Sequence, residues 1–350
     1  MNLRRTVAAA ALTAALTATT QLGAAAGAAT PAELPFASTS SVGIHNTYDP
    51  AAFGFLAQAL DTGTSMIELD AWTDTVTKEW KVSHSNPLGN SNNCVNASSP
   101  AQLYTGGVNK NLESCLDDVR VWLAAHPTAG PVTVKLELKG GFAANSGMGP
   151  AQLDALIAAH LGSAAFRPAD LLAKPGGGSY PTLDDAARAG NWPGRSSLAG
   201  RALVYVIPGT VEEGNPFDTL HTDTEYARHL RDLAAAGRIG DARVFPAVHG
   251  AAAGDPRTGY PEANIRPWFV VFDGDAAAYL NGVDTSWYDT RHYLLSMTDA
   301  QNVAPAISAT DPTADQARAR VVQLAGAHAT LVSSDWRHLP EVQSMVLPRG

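Results

Sequence analysis

At 350 residues, the chain is long enough for one large domain or two small ones with a substantial core. Its hydrophobic share of 45% argues against an intrinsically disordered chain, and its formal net charge of −9 excludes a basic nucleic-acid-binding surface. We therefore expect a globular, acidic protein that does not bind nucleic acid.

The first 29 residues have the pattern of a secretory signal peptide. Arg4 and Arg5 precede an apolar run, and small residues such as those at 24–26 then offer cleavage sites. The apolar run is too short for a comfortable membrane span. We expect residues 1–29 to be removed and residues 30–350 to form a single secreted, extracellular domain, with nothing in the sequence requiring more than a monomer.

The chain contains two cysteines, Cys94 and Cys115, with twenty residues between them. A secreted protein folds in an oxidising compartment, where two cysteines are expected to form a disulfide. Their spacing matches no zinc-binding pattern. We therefore predict one structural disulfide.

Short aliphatic runs alternate with helical patterns along the chain. The predicted strands cover residues 41–44, 66–70, 80–83, 132–138, 202–207, 268–272, 293–297 and 330–333. The predicted helices cover residues 51–60, 112–125, 151–161, 183–189, 224–236 and 314–325. Several strands are continuous apolar runs, which are typical of strands buried on both faces.

Eight strands with intervening helices favour an α/β fold of the (β/α)8 TIM-barrel type. The alternative is an open doubly wound sheet, which usually has a glycine-rich phosphate turn after its first strand. Here that turn reads His-Asn-Thr-Tyr, at residues 45–48, and has no glycine. Residues 70–80 are predicted to form a hairpin where a helix would be expected, so the barrel should be irregular.

Polar and ionisable residues lie at the ends of the first four predicted strands. In chain order they are His45, Asn46, Glu68, Asp70, His84, Lys135, Glu137 and Lys139. A charge buried in an apolar strand is destabilising by several kcal/mol unless it is paired or bound to a metal. The carboxyl ends of barrel strands converge on one mouth, where barrel enzymes have their active sites. We therefore expect a functional site there.

The carboxylates of Glu68, Asp70 and Glu137, with the amide oxygen of Asn46, form a set of hard oxygen ligands. Such a set suits Ca²⁺ or Mg²⁺ rather than zinc, and the residues alone do not choose between the two. The two histidines then remain available for proton transfer or anion stabilisation.

Four segments contain most of these residues: VGIHNTY at residues 42–48, IELDAW at 67–72, VSH at 82–84 and PVTVKLE at 131–137. In this order they resemble successive catalytic-half motifs of phosphoinositide-specific phospholipase C. The resemblance is strong from about residue 40 to 207, weaker afterwards, and closest to the compact, secreted, calcium-dependent bacterial type.

The resemblance implies a phospholipase-C-like phosphodiesterase barrel that binds one Ca²⁺. It places calcium ligands at Asn46, Glu68, Asp70 and Glu137, and catalytic histidines at His45 and His84. Lipid-specific members of the family cut phosphatidylinositol to diacylglycerol and a cyclic inositol phosphate. Lys135 and Lys139 are candidates for binding phosphate charge. No residue of the second half is assigned to the inositol ring.

Two other functions remain open. A glycerophosphodiester phosphodiesterase or a sphingomyelinase-D-like enzyme uses the same barrel, but the former typically has Arg-Gly after its first histidine and Asp after its second. This chain has Asn46 and Ser85 there. A non-catalytic inositol- or sugar-binding module would be expected to lack one of the histidines or carboxylates.

Contact with a membrane containing phosphatidylinositol should be peripheral and transient, because an acidic protein is not attracted to an anionic surface. Trp72, Trp80 and Trp336 lie near predicted strand ends. There they would either form an interfacial rim or pack in the core.

Overall fold

A closed ring of eight parallel strands organises residues 30–350, the part of the chain that the computed structural model describes. The strands of this part are β1 (Thr39–Ile44), β2 (Met66–Asp74), β3 (Glu79–Val82), β4 (Val132–Leu138), β5 (Ala165–Phe166), β6 (Ala202–Pro208), β7 (Val244–His249), β8 (Val271–Asp275), β9 (Leu294–Thr298), β10 (Leu331–Ser334) and β11 (Val346–Pro348). The ring runs β1, β2, β4, β6, β7, β8, β9 and β10, and β10 pairs with β1 to close it. The predicted barrel is confirmed. The predicted signal peptide, residues 1–29, lies outside the described residues.

Helices cover the outside of the ring and short helical turns connect the strands. The α-helices are α1 (Leu56–Asp61), α2 (Leu112–Ala125), α3 (Pro150–His160), α4 (Pro168–Leu172), α5 (Leu183–Arg188), α6 (Thr210–Glu213), α7 (Thr222–Ala235), α8 (Ala276–Leu280), α9 (Ser286–Asp289), α10 (Ala314–Gly326) and α11 (Pro340–Gln343). The longer helices α2, α3, α7 and α10 lie where they were predicted. Helix α1 is shorter than the predicted 51–60, and Gly54, a weak helix former, lies in the part that is not helical.

One predicted barrel strand is wrong, and one barrel strand is missing from the prediction. Strand β2 continues to Asp74, and β3 pairs with it in antiparallel orientation, with Asp74 opposite Glu79. This is the predicted hairpin, so 80–83 lies outside the ring. The strand that completes the ring of eight is β7, which was not predicted. Pro246 lies in the middle of it, and a proline argues against a central strand because it has no N–H for the ladder.

Strand β8 also differs from its prediction, with consequences for the barrel interior. The predicted strand 268–272 begins later, at Val271, because Arg266–Trp268 forms a 3-10 turn. The strand then continues to Asp275. Asp273, which the predicted strand did not include, is therefore a buried residue of β8.

The disulfide Cys94–Cys115 is present, as predicted, and both cysteines are fully buried. It joins the long loop after β3 to helix α2 and closes a loop with a sequence separation of 21 residues.

Removing this disulfide should destabilise the protein. A Cys94→Ser/Cys115→Ser variant is expected to lose about 3 kcal/mol of unfolding free energy, because the unfolded chain regains the entropy of an open loop of this length. Urea denaturation of the disulfide-bonded wild-type protein and of the variant, both without reductant, measures the difference. An unchanged denaturation midpoint would show that the disulfide does not stabilise the fold.

Candidate active site

Strands β2 and β4 bring the predicted carboxylates together at the mouth of the barrel. They pair in register, with Glu68 opposite Lys135 and Asp70 opposite Glu137. Residues two apart on a strand point to the same face, so all four side chains share one side. Glu68, Asp70 and Glu137 each offer a carboxylate oxygen within 4.8 Å of the other two. We call these three residues the acidic triad.

Two buried lysines compensate part of this negative charge. Lys135 Nζ lies 3.1 Å from Glu68 Oε1 and 3.2 Å from Asp273 Oδ1. Lys139 Nζ lies 2.7 Å from Glu137 Oε1 and 3.4 Å from Asp70 Oδ2. Two ammonium groups therefore face four carboxylates, and the mouth keeps an excess of negative charge. Both lysines, predicted as phosphate ligands, are 5% exposed and have carboxylate partners.

Asp70 is the least satisfied member of the acidic triad. It is 1% exposed, and neither of its carboxylate oxygens has a hydrogen-bond partner within residues 30–350. Burial and the charges of Glu68 and Glu137 raise the pKa of Asp70 to about 7. Lys139 lies 3.4 Å from Asp70 Oδ2 but is shared with Glu137, so its one charge does not compensate the clustered carboxylates, and a further cation is favourable there. The acidic triad therefore fits a hard divalent cation.

His45 follows β1 and lies between two carboxylates. Its Nδ1 is 3.2 Å from Asp335 Oδ1, and its Nε2 is 3.7 Å from Glu68 Oε2. Burial of the ring opposes its charged form, but the Asp335 hydrogen bond and the charges of Glu68 and Asp335 raise the pKa of His45 to about 9. In the metal-free protein this imidazole is therefore protonated at neutral pH.

Asp335 was not among the predicted site residues. It directly follows β10, and Ser334 of β10 pairs with Ile44 of β1, so barrel closure brings Asp335 beside His45. The available signal was the sequence Ser-Ser-Asp-Trp at residues 333–336, at the end of the predicted strand 330–333. An aspartate on a histidine Nδ1 fixes the orientation of the ring and favours its charged form.

An Asp335→Asn variant should lower the pKa of His45 towards its ordinary value of about 6.5. The neutral amide would replace the carboxylate whose negative charge stabilises the protonated ring. NMR titration of the His45 ring protons in the calcium-free protein measures this change. If the pKa stays near 9, Glu68 rather than Asp335 controls the protonation of His45.

Asn46 lies next to His45 in a left-handed backbone conformation, with φ of 50°, which asparagine tolerates better than most residues. Its backbone N–H donates a hydrogen bond to Glu68 Oε2 at 3.3 Å. Its side chain lines a cleft of about 450 Å³ that His84 also lines. Asn46 thus lies between the acidic triad and this cleft.

His84 follows β3 on the exposed loop that the hairpin presents to the mouth. It lines the cleft together with Tyr48, Ser85 and Asn86. No hydrogen bond holds its ring within residues 30–350, so it is free to bind a ligand. The structure therefore brings His45 and Asn46 into contact with Glu68 of the acidic triad, and His84 lines the same cleft as Asn46.

The tryptophans near the strand ends pack in the core. Trp336 is fully buried and Trp80 packs edge-on against Phe142. Trp72 is 9% exposed and donates its indole N–H to the Ser83 carbonyl at 2.8 Å. They do not form an interfacial rim.

A closed TIM barrel with an acidic triad and a histidine at its mouth defines a metal-dependent barrel enzyme. No family model and no curated protein matches the chain. Among solved structures, a Ca²⁺-dependent phosphatidylinositol-specific phospholipase C from Streptomyces antibioticus is 53% identical, with 91% of this chain and 99% of that chain covered and a TM-score of 0.88. The chain belongs to the family of calcium-dependent phosphatidylinositol-specific phospholipases C.

A more distant structure has the same fold. The calcium-dependent phosphoinositol-specific phospholipase C of a Pseudomonas species is 22% identical, covers 91% of this chain and 96% of its own, and has a TM-score of 0.67. A second crystal form of the Pseudomonas enzyme is 21% identical over the same shares, with a TM-score of 0.65.

Proposed function

We propose that the protein is a secreted, calcium-dependent phospholipase C that cleaves phosphatidylinositol to diacylglycerol and a cyclic inositol phosphate. The observation that carries the proposal is the buried, unsatisfied Asp70 within the acidic triad. It lies in a chain that is 53% identical to a Ca²⁺-dependent phosphatidylinositol-specific phospholipase C.

Calcium would be held by Glu68, Asp70 and Glu137, with Asn46 at the edge of the site. This set contains only oxygen ligands, which Ca²⁺ prefers. Bound calcium supplies positive charge that lowers the pKa of an attacking hydroxyl and offsets charge on the phosphoryl oxygens. The two lysines pair with the surrounding carboxylates and hold them in place.

The reaction needs one bond to form and one to break at phosphorus. A ring hydroxyl of inositol attacks the neighbouring phosphorus, an intramolecular step that proximity favours. A carboxylate at the mouth takes the hydroxyl proton as the new O–P bond forms. His45, held in its charged form by Asp335, donates a hydrogen bond to a phosphoryl oxygen. His84 gives a proton to the diacylglycerol oxygen as that P–O bond breaks.

We also propose that the enzyme is exported and consists of a single domain. Residues 1–29 would be removed as a signal peptide, and residues 30–350 would form the mature barrel as a monomer. The disulfide is consistent with an oxidising compartment. In residues 30–350, the structure contains no helix with the length and apolarity needed to cross a membrane. Contact with the lipid surface would be peripheral and transient.

The test is cleavage of the phosphodiester bond of each substrate, followed by ³¹P NMR, by the purified mature protein with calcium or with EGTA. Phosphatidylinositol, phosphatidylcholine and sphingomyelin vesicles are compared with soluble glycerophosphoinositol. Calcium-dependent cleavage of phosphatidylinositol alone supports the proposal. Cleavage of glycerophosphoinositol alone would identify a glycerophosphodiester phosphodiesterase instead. No cleavage of any substrate by protein that still binds calcium would indicate a binding module.

A further inference from the structure

A histidine–carboxylate pair lies at the barrel mouth outside the predicted site. His249 is the last residue of β7 and Glu213 is the last residue of α6. The His249 Nδ1 is 2.8 Å from Glu213 Oε1, and the two side chains are 29% and 38% exposed. The pair is thus held together and reachable by a ligand.

The strand register places His249 on the same side as the acidic triad. His249 pairs with Asp273 of β8, and paired residues of parallel strands point to the same face. Asp273 is bound to Lys135, which in turn is bound to Glu68. His249 therefore faces the interior of the mouth, above the ion pairs that reach the acidic triad.

Helix α6 also links the pair to the acidic triad. The N–H of Thr210, its first residue, donates to Glu137 Oε1 at 3.2 Å, while its last residue holds His249. Three residues of helix rise about 4.5 Å along the axis. A ligand of the size of a six-membered ring, bound at the acidic triad and lying along α6, would reach His249 and Glu213.

The free atoms of the pair suit a polyol. Because Glu213 occupies Nδ1, the polar ring atom that His249 can offer to a ligand is Nε2. Burial opposes the charged ring, but the Glu213 hydrogen bond and the Asp273 charge together raise the pKa of His249, which favours an N–H donor at Nε2. Glu213 Oε2 has no hydrogen-bond partner in the described part of the chain and is an acceptor. A donor beside an acceptor matches two neighbouring hydroxyls.

We propose that His249 and Glu213 bind two neighbouring ring hydroxyls of the inositol headgroup and so determine headgroup specificity. This inference rests on the proposed function and identifies residues of the second half of the barrel that hold the ring. They are substrate-binding residues, and the phosphorus chemistry remains with His45, His84 and the acidic triad.

The test uses His249→Ala and Glu213→Gln in the mature protein with calcium. Each variant is expected to raise KM for phosphatidylinositol about tenfold, the effect of one lost hydrogen bond to a charged group, and to change kcat less than threefold. The inhibition constant of free myo-inositol should rise by the same factor. Glu213→Gln keeps an oxygen for His249 Nδ1 but replaces the second acceptor with a donor.

A matched control is available on the outer helices. His160 Nδ1 lies 2.8 Å from Asp117 Oδ2, with side chains 27% and 18% exposed, on α3 and α2. His160→Ala removes a similar pair away from the barrel strands. It should leave KM and the myo-inositol inhibition constant unchanged.

The possible outcomes distinguish failure of this inference from failure of the proposed function on which it rests. If the wild-type protein cleaves phosphatidylinositol, but both variants keep wild-type KM and myo-inositol inhibition, the pair is only structural and the inference is overturned. If the variants weaken inhibition by inorganic phosphate but not by myo-inositol, the pair is an anion subsite and the inference is also overturned. If the wild-type protein does not cleave phosphatidylinositol with calcium, the proposed function itself fails.

Discussion

In an Asp70→Asn variant, the calcium-dependent rate of phosphatidylinositol cleavage is expected to fall at least about a hundredfold, because the affinity for calcium falls. The same variant should be more stable than the wild-type protein when calcium is absent. Asp70 is buried beside two other carboxylates and lacks hydrogen bonds within residues 30–350. Its pKa is raised even though Lys139 lies 3.4 Å away, so its charge is unfavourable without a further cation. The amide keeps the shape of the side chain and removes the charge.

The stability gain should depend on pH in a defined direction. The pKa of Asp70 is raised to about 7 in the calcium-free fold, above the value of about 3.9 in an unfolded chain. The folded protein therefore holds this proton more tightly, and wild-type stability falls as pH rises from about 4 to about 7. The variant lacks the group, so its advantage should be full above about pH 7 and absent below about pH 4. Thermal unfolding in EGTA measures it.

Asp118→Asn provides the matched control. Asp118 is also 1% exposed, and burial raises its pKa to about 6, but its two oxygens accept hydrogen bonds from the N–H groups of Val95 and Ala97 at 2.7 Å. An amide can accept only one of these bonds, because its NH2 would face the other N–H. Replacing it should therefore lower stability and leave the stabilising effect of calcium intact. If Asp70→Asn behaves like Asp118→Asn, or keeps wild-type turnover, the acidic triad is not the calcium site.

A His84→Ala variant is expected to lower turnover by about 10²–10⁴-fold, the usual contribution of a general acid. Its fold and calcium binding should not change, because the exposed ring of His84 has no hydrogen-bond partner within residues 30–350 and lies in the cleft rather than in the acidic triad. Steady-state turnover on phosphatidylinositol, calcium titration and thermal unfolding together measure these effects.

His338→Ala is the control for this variant. His338 is another exposed histidine beyond the end of a barrel strand, after β10, and it does not line the cleft. Its replacement should leave turnover unchanged. Near-normal turnover of His84→Ala would show that His84 is not the general acid and that another group donates the proton.

The acidic triad was predictable because its members lie two residues apart on single strands, at Glu68 and Asp70, or in register across neighbours, at Glu137. A period of two is visible in the sequence. A charge on these residues would also be unfavourable in an apolar strand unless it were paired or bound to a metal. The sequence therefore predicted the ends of β2 and β4, which carry the acidic triad, and a hard divalent cation as the ion that fits them.

The rest depends on closure of the barrel. His45 and Asp335 are 290 residues apart in the chain and become neighbours because β10 pairs with β1. His249 was missed because Pro246 obscured its strand. The two lysines were predicted at the end of β4, but their pairing with carboxylates depends on distances between strands that no local pattern contains. Their partners are Glu68, Asp273, Asp70 and Glu137.

The most direct test of the central claim is ³¹P NMR of phosphatidylinositol vesicles during incubation with the purified mature protein. With calcium, the lipid resonance should decline while the resonance of a cyclic phosphodiester grows, and neither should change in EGTA. That result would show calcium-dependent attack by an inositol hydroxyl. Direct appearance of a phosphomonoester with no cyclic species, or equal cleavage in EGTA, would contradict it.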